Sequence, residues 1–129
     1  MKYTKQLAAA PPGSFHVLDE EKAKRLNAKT LYIPSPSEVR EVISAIPSGS
    51  VWTVVDLRHK LAADHKADTA CPAAIQKYWR WMAWAMETEG GEALPWWRVA
   101  RRSKYSDQLP GGLVTHRAKL AAEGVVLKG

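Results

Sequence analysis

Apolar residues recur at the spacing of amphipathic helices in two stretches near the middle of the chain. In the first, Ser35 stands three residues before Glu38, the spacing of a capping box, and the apolar positions that follow predict a helix over residues 36–45. A Pro-Ser-Gly-Ser run ends this helix, and Thr53 is a suitable N-cap for a second helix over residues 54–63. The pattern therefore predicts two helices joined by a short turn.

A third predicted helix, over residues 72–87, has two different faces. Proline suits its first turn, and Gly90-Gly91 ends it. One face is an apolar stripe at helical spacing, made of Ile75, Tyr78, Trp79, Met82 and Met86. The other face is polar and aromatic, made of Gln76, Lys77, Arg80 and Trp84. We expect the first face to lie in the core and the second at the surface.

The remainder of the chain carries a mixed pattern. We predict a strand over residues 94–102, a turn-rich loop over 104–112 and a last helix over 114–122, with 125–127 as a candidate short strand. Two helices followed by a strand, a loop and a helix are compatible with an α+β, mostly helical fold of the winged helix-turn-helix type. Periodicity alone leaves other small α+β folds open.

The N-terminal residues lack such a pattern. Residues 1–33 mix basic residues with prolines and show only a short helical stretch over 18–26. We interpret them as an N-terminal arm or a loosely packed extension, and residues 34–129 as the domain. A length of 129 residues with 46% hydrophobic residues suits one domain with a proper core.

The charge of the chain favours a polyanionic partner. The formal net charge is +6 and the pI is near 9.6. Such a balance promotes binding to nucleic acid through phosphate neutralisation, although many small basic proteins bind nothing, so charge alone does not decide the question.

Cysteine usage and hydropathy restrict the remaining classes. The single cysteine, Cys71, excludes an internal disulfide and a multi-thiolate metal site. No apolar run approaches the roughly 18 to 20 residues that span a bilayer, and the first residues lack the apolar core of a signal peptide. The spacing of His59 and His65 matches no zinc pattern. We therefore expect a cytoplasmic monomer, nucleoid-associated if the source is bacterial, with no membrane partner, no metal and no cofactor.

Three stretches of the chain carry a family resemblance. They are Ile46-Pro47-Ser48-Gly49-Ser50-Val51-Trp52-Thr53, Pro95-Trp96-Trp97-Arg98-Val99 and Leu120-Ala121-Ala122-Glu123-Gly124-Val125. In this order and rough spacing they resemble the DNA-binding domain of methylguanine-DNA methyltransferases. The family pattern is a proline-glycine turn before a capped helix, an active-site Pro-Cys-His-Arg and a closing Glu-Gly. The resemblance covers roughly residues 34–127 and implies the winged helix-turn-helix fold of that family.

The position of the family nucleophile is changed in this chain. The family cysteine falls on Trp96 and the family histidine on Trp97, whereas Pro95 and Arg98 are kept. An indole supplies neither a thiolate nor a proton acceptor, so we expect no alkyl transfer and no enzyme activity. Tryptophan at this cysteine position is typical of alkyltransferase-like proteins, which bind alkylated guanine without repairing it and are thought to mark the lesion for excision repair.

The resemblance implies two groups of site residues. A pocket that receives a flipped base would be lined by Val54, Gly90, Gly91, Pro95, Trp96, Trp97 and Arg98. Contacts to double-stranded DNA, with or without O6-alkylguanine, would come from Thr53, Arg58, Gln76, Lys77, Arg80, Arg101, Arg102 and Lys104. Excision-repair proteins would be further partners. The plain alternatives are core packing for the two tryptophans and solvated surface charge for the cations.

The chain also departs from the family pattern. Val54 stands where family members usually have a tyrosine that helps to rotate the phosphate, and Ala74-Ile75-Gln76-Lys77-Tyr78 does not reproduce the pattern that carries their intercalating arginine. Arg80 is our preferred substitute for that arginine. Glu123 lacks the family's histidine partner, so we expect it to serve as a cap or turn residue.

Three hypotheses follow from these features. The first is a non-catalytic reader of alkylated bases. The second is a winged-helix protein that binds undamaged DNA or a protein partner, and the third is a transferase or glycosylase-like activity that uses another residue. An open pocket beside Trp96 would favour the first hypothesis, and a filled one would favour the second.

Overall fold

A computed structural model of the chain describes residues 1–100 and 108–126. Their fold is α+β and mostly helical, as predicted. In chain order the elements of the described residues are α1 (Lys2–Ala8), β1 (Ser14–Val17), α2 (Glu20–Leu26), β2 (Thr30–Ile33), α3 (Pro36–Ser44), β3 (Trp52–Thr53), α4 (Val54–Asp64), β4 (Thr69–Ala70), α5 (Pro72–Glu89), a 3-10 turn (Trp96–Arg98), β5 (Val99–Ala100) and α6 (Gly112–Ala121).

The three central helices agree with the sequence pattern. The expected capping box is present, because Ser35 and Glu38 exchange side-chain and backbone hydrogen bonds at the start of α3. The expected N-cap Thr53 forms a second capping box with Asp56 at the start of α4. Helix α5 ends at Gly90, whose φ of +67° is left-handed and suits glycine at a helix C-terminus. The predicted stripe on α5 is confirmed, since the exposed fractions of Tyr78 and Trp79 are only 2% and 1%.

Residues 1–33 are joined to the rest of the molecule by hydrogen bonds. Strand β2 pairs antiparallel with β1 and parallel with β4, so the sheet order is β1-β2-β4. Helix α1 lies along α5, where the Glu89 carboxylate accepts hydrogen bonds from the amides of Tyr3 and Thr4 at 3.0 and 2.8 Å. These groups occupy the first turn of α1, where backbone N–H groups have no partner within the helix. The segment interpreted as a loose extension is therefore docked on the domain.

The strand predicted over residues 94–102 is wrong for most of its described part. Residues 96–98 form the 3-10 turn, and only Val99–Ala100 is a strand, which pairs in parallel with β3. The Trp96 amide donates to the Leu94 carbonyl at 2.8 Å, and the Trp96 carbonyl accepts from the Trp79 indole at 2.8 Å. Both backbone groups of Trp96 are thereby used outside a β-ladder, which is why the strand begins only at Val99.

The C-terminal expectations hold in part. Helix α6 begins at Gly112, two residues before the predicted start, and ends at Ala121. Residues 125 and 126 form no strand, because the Val125 amide donates instead to the Leu120 carbonyl at 2.9 Å to close the helix end. Of the predicted loop over 104–112, residues 104–107 lie outside the described residues, and residues 108–111 form turns and bends before α6.

Candidate nucleic-acid interface

The side chain of Arg98 connects three distant parts of the chain. Its Nε and Nη2 atoms donate to the two carboxylate oxygens of Glu123 at 3.0 and 2.6 Å, and its Nη1 atom donates to the Ile46 carbonyl at 2.8 Å. The side chains of Arg98 and Glu123 are only 17% and 13% exposed. This fork-shaped pairing of guanidinium and carboxylate fixes the 3-10 turn against the end of α3 and the end of α6.

This pairing changes the role expected for Glu123. We predicted a cap or turn residue, but its carboxylate is the ion-pair partner of Arg98. The hydrogen bonds from Arg98 lower the pKa of Glu123 from 4.5 to about 2, and those same bonds raise the pKa of Arg98. The carboxylate is therefore ionised at neutral pH and serves as a structural anchor.

Trp96 lies entirely in the core. Its exposed fraction is 0%, and its indole Nε1 donates to the Glu87 carboxylate at 3.1 Å. Its ring packs against Trp97 and His116, with centroids 5.9 and 5.6 Å away. Burial lowers the pKa of His116. A base could not stack on the Trp96 ring without displacing these neighbours.

The other residues of the expected lesion pocket are dispersed. Val54 is buried in the same core cluster as Trp96, whereas Gly90 is exposed at the end of α5. Gly91 donates its amide to the Ala85 carbonyl at 2.9 Å as part of the helix end. Pro95 precedes the 3-10 turn and is half-buried. The structure thus brings Val54 together with Trp96 in the core and does not bring Gly90 into an open pocket with them.

Trp97 differs from its neighbour Trp96 because it is not fully buried. It is half-buried, and the ammonium of Lys119 on α6 lies 4.8 Å from its ring centroid. The Arg98 guanidinium lies 5.9 Å from the same ring. Both cations beside this partly exposed indole are paired with carboxylates, Arg98 with Glu123 at 2.6 Å and Lys119 with Glu87 at 3.5 Å.

Two of the expected DNA contacts are used inside the fold. The Thr53 hydroxyl accepts the Asp56 amide as the cap of α4. The Arg58 guanidinium donates to the Ala70 carbonyl at 3.3 Å and to the Thr69 hydroxyl at 3.0 Å, so it ties α4 to β4. Thr53 therefore serves the start of α4 and Arg58 holds the connection between α4 and α5, so both side chains are poorly placed to bind phosphate at the same time.

The three residues of α5 that are expected to contact DNA lie together on its N-terminal half. Gln76, Lys77 and Arg80 are all half-buried, and Ala73 is exposed. The Lys77 ammonium lies 5.1 and 5.3 Å from the ring centroids of Tyr78 and Trp81, an arrangement that holds a cation at the surface.

The far end of this face is anchored to the segment that precedes α6. The Arg80 guanidinium donates to the side chain of Gln108, and the Trp84 indole donates to the Gln108 carbonyl at 2.8 Å. Arg80 therefore joins α5 to the loop at the position where a wing is expected. Arg101, Arg102 and Lys104, the other basic residues expected at the interface, lie outside the described residues.

Sequence reasoning missed two clusters that involve the N-terminal segment. One is the docking of α1 on Glu89, 85 residues away along the chain. The other is a trio in which the Glu38 carboxylate accepts from the Tyr32 hydroxyl at 2.7 Å and contacts His65 Nε2 at 2.7 Å. The Tyr32 and His65 rings stack with centroids 3.6 Å apart. The spacing of these residues carries no local signal for either cluster.

A membrane-spanning helix and a cluster of metal ligands are both absent from the described part of the chain. None of its helices combines the length and the apolar character needed to cross a membrane. Within residues 1–100 and 108–126, no group of three or more His, Cys, Asp or Glu side chains is arranged to hold a metal ion.

Comparison with known proteins found no protein-family model, no curated protein and no solved structure that matches this chain.

Proposed function

We propose that the chain is a non-catalytic DNA-binding protein that resembles the DNA-binding domain of methylguanine-DNA methyltransferases and docks α4 and α5 on undamaged duplex DNA as a helix-turn-helix. The observation that carries this proposal is the convergence at Arg98. Its bonds to Ile46 and Glu123 join the three stretches that carry the resemblance to methyltransferase DNA-binding domains. The meeting of these three stretches at one side chain supports the proposal.

The N-terminal half of α5 is the best candidate for the DNA-contacting surface. Helix α1 covers the C-terminal half of α5, where Tyr3 stacks with Trp84 and binds Glu89. The N-terminal half, with Gln76 and Lys77, is left accessible by α1. Recognition helices of this type contact bases with their N-terminal residues, and a long basic side chain there can reach phosphate.

The burial of Trp96 favours binding to undamaged duplex over extrusion of a base. A flipped base needs an open cavity with an accessible stacking surface, and Trp96 offers neither because its exposed fraction is 0%. Trp96 and Trp97 at the positions of the family's cysteine and histidine also leave the site without a nucleophile and its base. The proposed activity is therefore binding without alkyl transfer.

Recognition of alkylated guanine is a second candidate, supported by Trp97. This indole remains accessible beside the Lys119 ammonium, and an aromatic ring flanked by cations is a suitable platform for a base and its phosphate. In that case the lesion would stack on Trp97, and the complex would act as a signal to excision-repair proteins.

We expect Lys77→Ala to weaken binding to a labelled duplex of random sequence at all salt concentrations. Loss of one phosphate contact should reduce the slope of log affinity against log salt by about 1. Fluorescence anisotropy over a series of salt concentrations measures both quantities. The matched control is Lys24→Ala on α2, which removes the same charge outside the helix-turn-helix. Equal effects of the two variants, or no binding by the wild type at low salt, would refute the proposed interface.

A further inference from the structure

The outer edge of β1 presents apolar side chains to solvent. Phe15 is 49% exposed and Val17 is 80% exposed, although both lie in a strand. Strand β1 is the terminal strand of the β1-β2-β4 sheet, and within the described residues no strand pairs with its other side. An edge strand that carries apolar residues and neither lysine nor proline is open to pairing with another chain.

The backbone groups that would bond to an added strand belong to the same two residues, Phe15 and Val17. The Leu18 amide donates to the Lys29 carbonyl at 2.9 Å, and His16 lies opposite Leu31 in the same register. Because hydrogen-bonded and non-hydrogen-bonded pairs alternate in an antiparallel ladder, Phe15 and Val17 occupy the non-hydrogen-bonded positions. Their N–H and C=O groups therefore point away from β2, toward the outer edge.

The charged side chains beside this edge are mostly basic. His16 and Leu31 line a groove of about 550 Å³ between the sheet and α2, and Lys22 and Arg25 of α2 line it as well. The one acidic side chain in this lining is Asp19, which already accepts the Lys22 amide as the cap of α2. The groove thus offers an apolar floor and two ammonium or guanidinium groups to whatever lies along β1.

We propose that the outer edge of β1 is a docking site for an extended segment of a partner protein in which apolar and acidic side chains alternate. Such a segment would add a strand to the sheet by bonding to the backbone of Phe15 and Val17. Side chains of an added strand alternate between the two faces of the sheet. Acidic ones would lie on the groove face beside Lys22 and Arg25, and apolar ones would lie on the other face beside Phe15.

Charge argues against a second copy of this chain as the occupant. Two β1 edges that paired with each other would bring together two grooves that each carry Lys22 and Arg25. The like charges of the two grooves would repel each other, whereas acidic side chains of a partner would be attracted to them. The occupant that fits the groove is therefore a different, acidic protein segment.

The test uses a fluorescein-labelled octapeptide of alternating valine and glutamate, with alternating valine and lysine as the charge control. We expect the glutamate peptide to bind the full chain in an anisotropy titration and the lysine peptide not to bind. Val17→Pro removes one outward N–H without touching a bond to β2, and proline is tolerated at such edge positions. This variant should weaken binding by about tenfold, whereas Val17→Ala, which keeps the N–H, should weaken it much less.

Charge variants keep the test decisive if Val17→Pro does not fold. Arg25→Glu should weaken binding of the acidic peptide, and Lys24→Glu, the same change on α2 outside the groove, should not. The proposal is overturned by equal effects of these two variants or by no peptide binding up to about 1 mM. Displacement of the peptide by unlabelled duplex DNA would assign the groove to DNA. A dimer in sedimentation velocity that Val17→Pro abolishes would assign the edge to a second copy.

Discussion

Trp96→Ala is expected to destabilise the fold by about 3 to 5 kcal/mol, the loss typical of a fully buried tryptophan. The indole is 0% exposed, and its Nε1 donates a hydrogen bond to the Glu87 carboxylate. Its removal leaves a cavity next to His116 and deprives the Glu87 carboxylate of a donor. Urea denaturation followed by far-UV circular dichroism measures the change in the free energy of unfolding.

Trp81→Ala is the matched control for this substitution. Trp81 lies on the periphery of the core, is only half-buried and packs against Tyr78 with ring centroids 5.9 Å apart. Its loss should cost about 1 to 2 kcal/mol. If Trp96→Ala left the stability unchanged and abolished DNA binding, Trp96 would be a surface platform and its assignment to the core would be incorrect.

Arg98→Ala is expected to have a comparable effect, a loss of about 3 to 5 kcal/mol. The substitution leaves the Glu123 carboxylate with little solvent and without its partner, and it also removes the donor to the Ile46 carbonyl. Thermal and urea unfolding of the variant measure the loss. Arg98→Lys should recover only part of the stability, because an ammonium cannot form the forked pair.

The same ion pair makes stability depend on pH in acid. The pKa of Glu123 is lowered from 4.5 to about 2 in the folded protein, chiefly by the hydrogen bonds from Arg98. A lowered folded pKa contributes stability that is fully present above pH 4.5 and is lost as pH falls from 4.5 toward 2. Glu123→Gln should therefore be less stable than the wild type at neutral pH and should lose less stability across that window. An identical loss of stability in the two proteins between pH 4.5 and pH 2 would contradict the ion pair.

Local signals were sufficient to predict the central helices. The capping box at Ser35, the N-cap at Thr53 and the apolar stripe of α5 depend on residues within a few turns of each other, and the structure has all of them. Periodicity reports such short-range geometry directly. It also predicted correctly which face of α5 is buried.

The features that the sequence could not predict depend on distant partners. Trp96 lies in a 3-10 turn because Trp79 and Glu87, both on α5, hold it there. The Trp79 indole donates a hydrogen bond to the Trp96 carbonyl, and the Glu87 carboxylate accepts one from the Trp96 indole. Likewise the N-terminal segment is ordered by β4 and by Glu89. Such contacts override local propensity, since a short apolar run fits a strand or a buried turn equally well. The sequence alone therefore could not predict whether the pocket beside Trp96 is open or filled.

Binding to two duplexes that differ by a single O6-alkylguanine distinguishes a binder of undamaged DNA from a lesion reader. The measurement is the equilibrium affinity of the wild-type chain for each duplex, with 2-aminopurine next to the modified position as a reporter of base extrusion. Because Trp96 is buried, we expect equal affinities, a steep dependence on salt, and no increase in 2-aminopurine fluorescence. A clear preference for the alkylated duplex together with a rise in that fluorescence would contradict binding without base extrusion and would establish a lesion reader.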